Sequence, residues 1–330
     1  MHTEKYMDAK ITKQRLTRLL SYDWLKIIAL ILGICVFWAL IFTTTATRIT
    51  TAQQFTVFNH YANGSFTDTF SSFYGNSIQN GVYSHEVLDL TTNDLVTAGD
   101  AYNEILQTRL TVEEGDVMFL PDIGDENHKT TAEDGTVSYQ YTYVDSFMAS
   151  GYGYSVVEFD GYLNNFKTFL ERYFTDLENG ETMNKALVES DFRARITKNK
   201  DKRYKKAEQI QAGLEGEYKR IEKYRAGYIQ LNGYLESGLI QKRKVTITTP
   251  ETSKPIFDGT YALNICPDES KLVGLKKYVH YRVTGEKGAL IPTAENMSVM
   301  FFNFTVSDDG YQYENVLFLN KVMENALAAQ

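Results

Sequence analysis

Five histidines could carry metal or acid–base chemistry: His2, His60, His85, His128 and His280. None stands at a metal-ligand or catalytic-triad spacing from another. His85 alternates within an expected strand and His280 falls between Tyr278 and Tyr281, so both read as structural. Cys266 has no recognisable histidine partner motif and reads as a small packed residue rather than a nucleophile. The carboxylates Asp116, Asp122, Asp125, Asp308 and Asp309 are candidates for general acid or base work, but geometry and not sequence proximity defines such a pair. Asp308-Asp309-Gly310 reads as a turn and lacks the calcium-loop pattern. No GxxxxGK[ST] or GxGxxG phosphate loop occurs, and Gly151-Tyr152-Gly153-Tyr154 reads as a turn. No cofactor and no metal is therefore expected. Between Arg193 and Lys206 stand eight basic residues and one acid, Asp201. They could meet anionic polymer or lipid headgroups, but a solvated helix face is the simpler expectation.

The element that places everything else is Ile27–Thr47, twenty-one residues without a charge. About 20 such residues in a helix cross a hydrocarbon core, with every backbone group satisfied internally. Lys5, Lys10, Lys13, Arg15, Arg18 and Lys26 precede it and only Arg48 follows closely. Positive flanks stay in the cytoplasm, so the N-terminus is expected inside and residues 48–330 outside. Trp24 suits an interfacial anchor. The long basic region and the length of the apolar run favour an uncleaved signal-anchor over a cleaved signal. Leu32-Gly33-Ile34-Cys35 approaches a lipoprotein box, but Ile34 is wrong for it and the apolar run continues.

Removing the seven bases and three acids of residues 1–48 leaves 27 basic and 39 acidic residues outside, a net charge of −12. That balance excludes a general nucleic-acid or polyanion binder. Cys35 and Cys266 fall on different sides of the expected boundary, so no intrachain disulfide is expected. An exported domain of this size without disulfides suits a bacterial, Gram-positive surface.

Beyond the membrane the pattern alternates. Residues 54–60 read as a strand, 65–74 as a helical face carrying Phe66, Phe70, Phe73 and Tyr74, and 82–90 as a second strand. Residues 94–110 read as a helix and Val117–Leu120 as a fully apolar strand. Continuous apolar strands imply a parallel sheet covered by helices on both faces. Residues 124–141 read as an exposed insertion or hairpin, and 162–174 as a helix. A long helix over 207–235 carries Gly213, Gly216, Gly227 and Gly233, each costing about 1 kcal/mol in a helix interior unless packing offsets it.

From Phe55 to Leu120 this order resembles the opening of a type 2 extracellular solute-binding protein, the receptor of an ABC importer. The matching stretch is AYNEILQTRLTVEEGDVMFLPD, residues 101–122. Ser146–Gly151 with SVVEFD (155–160) resembles a later passage of that family. MSVMFFNF (297–304) with YENVLFLNKVM (313–323) resembles its last strand and lobe helix, and YALNI (261–265) the strand returning to the first lobe. The resemblance implies a periplasmic-binding-protein-like open sheet with flanking helices. It also implies a non-catalytic role in binding a small solute, a sugar or peptide, as an accessory to a transporter or sensor. The departure is residues 175–254, which read as a reduced, mostly helical second lobe. A ligand site of the implied kind lies beyond the carboxyl ends of the strands. That puts His60, Tyr61 and Asn63 after the first strand, and Pro121 and Asp122 after the third, at its rim. Two other classes stay open: an interaction module docking a partner protein, and a surface hydrolase with two carboxylates roughly 5–10 Å apart in a groove.

Overall fold

The computed structural model describes residues 12–14, 17, 24–45, 49–60, 64–95, 101–178, 182–248, 254–284 and 289–329. The chain forms two units, Met1–Arg48 and Ile49–Gln330. The first holds α1 (Trp24–Thr45), whose 22 residues span about 33 Å at 1.5 Å per residue, enough to cross a bilayer core. Its apolar side chains are exposed along its length.

The second unit is α/β, built on a mixed six-stranded sheet. Its strands are β1 (Gln54–Asn59), β3 (Asp89–Asp94), β4 (Val117–Pro121), β7 (Gln241–Thr248), β8 (Pro255–Asn264) and β11 (Met297–Phe301), in the order β3-β1-β4-β11-β8-β7. Only β3, β1 and β4 run parallel to one another as neighbours. β11 is antiparallel to both β4 and β8, and β7 pairs antiparallel to β8. The parallel sheet expected from apolar runs is thus a mixed one. Burial on both faces makes any central strand continuously apolar, whichever way its neighbours run.

Strand alternation sorts side chains to two faces. Phe55, Val57, Val117, Phe119, Val299 and Phe301 face one core; Phe58, Met118, Leu120 and Met300 face the other. The first core is covered by α2 (Asp68–Gly75), α5 (Phe159–Glu171), α7 (Ala207–Glu236) and α8 (Glu314–Ala328). The second is covered by α3 (Tyr102–Thr111) and α4 (Tyr143–Ala149). Between α5 and α7 lies α6 (Lys185–Lys198). α7 packs on α5, α6 and α8, and β7 joins the main sheet. β2 (Gly64–Phe66), β9 (Val279–Thr284) and β10 (Leu290–Thr293) form a small second sheet. The expected insertion is a hairpin of β5 (Lys129–Thr131) and β6 (Val137–Tyr139).

Two boundaries differ from the sequence pattern. Residues 82–87 are mostly buried but irregular, Leu88 is exposed, and β3 begins only at Asp89. Their polar groups are taken by the interior: Ser84 N–H donates to Glu314 Oε2 at 3.0 Å, and Glu86 accepts from arginines. The helix expected from residue 94 starts at Tyr102, because 89–94 pairs with β1.

Candidate functional site

From β1 the chain goes to β3 on one side, then crosses to β4 on β1's other side. At such a reversal the loops leaving two parallel strands part, and a crevice opens beyond their carboxyl ends. A cleft of ≈ 340 Å³ lies there. His60, just after β1, forms its floor; its N–H donates to Phe119 O at 2.9 Å, which ties the residue to β4. The segment after β4 contributes Asp125, Asn127 and His128. The first turns of α3 contribute Tyr102, Asn103 and Leu106. α4 and the turn after it supply Ser146, Phe147, Ser150 and Tyr152.

Local chemistry holds each wall. Asp125 caps the turn that follows it, its Oδ1 accepting Asn127 N–H at 2.9 Å. His128 Nε2 lies 3.9 Å from Asp125 Oδ2. Thr142 caps α4 by accepting Asp145 N–H at 3.2 Å. The Phe147 and Tyr152 rings meet at 6.0 Å, and Tyr152 Oη donates to the Asn103 carbonyl at 3.4 Å, joining the α4 side to the α3 side. His60 is 4% exposed and edge-on to Tyr143 and Phe147. Burial lowers its pKa to about 3, so it is a neutral imidazole. Among the described lining residues the cleft has one carboxylate, Asp125, and neither lysine nor arginine.

The residues assigned to the rim divide. His60 lines the cleft. Tyr61 and Asn63 lie outside the described residues. Pro121 is buried in β4, paired with Met297. Asp122 is one partner of an ion triad: Arg243 Nε on β7 donates to Asp122 Oδ2 at 2.7 Å, and Arg243 Nη2 to Asp145 Oδ2 at 2.9 Å. The triad ties α4, and with it Phe147, to the main sheet. Sequence reasoning did not assemble Tyr102, Asp125, His128, Phe147 and Tyr152, which come from separate elements. The one local signal was the polar Asp125–His128 stretch directly after an apolar strand.

A second polar cluster is buried under α6 and α7. Glu86 accepts from Arg195 at 3.1 Å and from Arg203 at 2.7 Å. Glu217 accepts from Arg195 at 2.8 Å and from Arg220 at 2.6 Å. Potential ligand atoms of His85, Glu86 and Glu217 lie within 4.8 Å of one another. Three guanidiniums already fill the carboxylate lone pairs, so a cation would enter against positive charge; the donor set does not fit a metal. Burial alone would raise the Glu86 pKa, but His85 and the arginines hold it well below the usual carboxylate range. The basic run of residues 193–206 is therefore in part an interior device, since Arg195 is buried and Arg203 mostly so.

These observations define a mixed-sheet α/β protein with a concave site beyond the carboxyl ends of its parallel strands, on a chain that also carries an apolar helix of membrane-spanning length. Comparison with protein-family models, with curated proteins and with solved structures gives no match to any of the three.

Proposed function

We propose that this chain is a membrane-anchored, extracytoplasmic solute-binding protein, non-catalytic, serving a transporter or sensor in the same membrane. α1 is the anchor, and the basic residues ahead of it set the N-terminus in the cytoplasm. The observation that carries the reading is the cleft's position at the reversal of strand order, where open α/β sheets bind ligands. Its volume is at the small end of ligand pockets, which suits a small solute. Two features argue against the other classes. α7 contributes nothing to the cleft lining, so the long helix does not fill the switch point as a docking module would. A hydrolytic pair needs two carboxylates, and the described lining has one.

The test is equilibrium dialysis of the full chain in lipid nanodiscs against a panel of labelled sugars, amino acids, small amines and short peptides. Saturable binding is expected, abolished by Asn103→Trp, which adds a bulky ring at the exposed mouth of the cleft without removing a cap. Absence of saturable binding across the panel would overturn the reading in favour of a partner-docking module.

A further inference from the structure

We infer that the cleft takes a small organic cation, an ammonium of the protonated-amine or quaternary kind; the inference rests on the ligand-binding reading above. Four independent features converge on it.

The first is formal charge. Asp125 is the one charged side chain of fixed sign among the described lining residues, and it is 1% exposed. A buried carboxylate is costly unless compensated, and its own contacts are modest: one backbone N–H and a half-exposed histidine 3.9 Å away. A cationic ligand supplies the missing countercharge, whereas an anion would meet repulsion, with no lysine or arginine among the described lining residues to offset it. The second is the walls. Tyr102, Phe147 and Tyr152 are aromatic and line the same cleft as Asp125, with the Phe147 and Tyr152 rings tilted by 32° to each other. A cation within about 6 Å of such ring faces is attracted by their quadrupoles, and several rings around one carboxylate form the cage that recognises quaternary ammonium groups. The third is the floor. His60 is held neutral by burial, so it adds an aromatic edge and no opposing positive charge, while the buried Ser146 Oγ, without a hydrogen-bond partner among the described residues, can accept from an ammonium N–H. The fourth is the far field. The outer part carries a net charge of −12, which enriches cations near its surface and steers them inward, an effect that salt weakens.

Isothermal titration of the full chain in nanodiscs tests this, with choline, tetramethylammonium and putrescine set against glucose, maltose, acetate and phosphate. The amines are expected to bind, with affinity falling on going from 50 to 500 mM salt. Asp125→Asn keeps the cap, because the amide oxygen still accepts Asn127 N–H, and removes the charge. It is expected to weaken choline binding at least tenfold with an unchanged melting temperature. Tyr152→Leu, at the half-exposed wall, is expected to weaken choline binding about fivefold and provides a second variant should Asp125→Asn misfold. Glucose or maltose binding with no amine binding would overturn the cation assignment and leave the ligand-binding reading intact. Acetate or phosphate binding would overturn it likewise. Binding of no compound would sink both.

Discussion

Arg243 is one side chain answering two carboxylates on different elements, Asp122 at the end of β4 and Asp145 in α4. Removing it leaves two partly buried carboxylates unpaired, and that penalty exceeds the small net worth of an exposed pair. Arg243→Met keeps most of the stem and is expected to cost about 1–3 kcal/mol in denaturant unfolding, and on the proposed function also to weaken solute binding, because α4 carries the Phe147 wall. An unchanged midpoint would show the triad to be incidental. Asp116 makes the opposite case. Burial drives its pKa up from 3.8 to about 7, against a hydrogen bond from Thr56 N–H at 2.8 Å. The folded chain therefore keeps a proton that the unfolded chain has released, and stability must fall as pH rises from about 4 to about 7. The loss is on the order of 4 kcal/mol when complete. Glu86 and Glu217 slope the other way: buried yet held low by arginines, they stabilise above 4.5, and that contribution drains away as pH falls. Stability measured by denaturation should peak near pH 4.5, with Asp116→Asn flattening the alkaline side alone. A melting profile level between pH 5 and 8 in the wild type would contradict this.

α7 shows what separates a legible element from a legible contact. Its three-four apolar spacing marked the helix, and its four interior glycines required compensation from packing. Three have it. A Cβ on Gly213 would meet the Tyr204 ring at 2.3 Å, one on Gly216 the His85 ring at 2.9 Å, and one on Gly227 the Leu317 side chain of α8 at 2.9 Å. A Cβ on Gly233 would meet nothing within 4 Å among the described residues. Gly233→Ala should therefore stabilise by about 0.5–1 kcal/mol, while Gly227→Val should destabilise by about 1–3 kcal/mol by prising α7 from α8. Equal effects at the two positions would refute the close approach. The same distinction runs through the rest of the fold. β1 and β4 were readable because each is a short apolar run, and α5 because of its helical face; β11 and α8 were placed only through the family resemblance. Strand direction was not, since burial on both faces leaves no mark of it in a central strand. Residues 82–88 carry strand-like composition but spend their polar groups on Glu314 and the arginines, a long-range event no local pattern records. The cleft was legible only at His60, because its other walls come from loops and helix ends brought together by the sheet's reversal.

At the scale of the whole molecule the claim to test is sidedness, and the fold determines how it can be tested. Native thiols are poor reporters: Cys35 lies in α1, and Cys266 is 0% exposed with burial and nearby Glu269 pushing its pKa up to about 12. Thiolate, the reactive form, is scarce at such a site, so a membrane-impermeant maleimide should leave the wild-type chain unlabelled in intact cells whichever way it is inserted. A reporter must be placed where a side chain is exposed and bears no partner. Glu133, at the turn of the β5–β6 hairpin, is exposed, and no ion pair among the described residues involves it. With the N-terminus inside, as proposed from the basic residues ahead of α1, Glu133→Cys should be labelled in intact cells to the same extent as after lysis. Labelling of Glu133→Cys only after lysis would reverse the orientation. The cleft would then face the cytoplasm, and its ligand would have to be sought among intracellular amines rather than solutes arriving from outside.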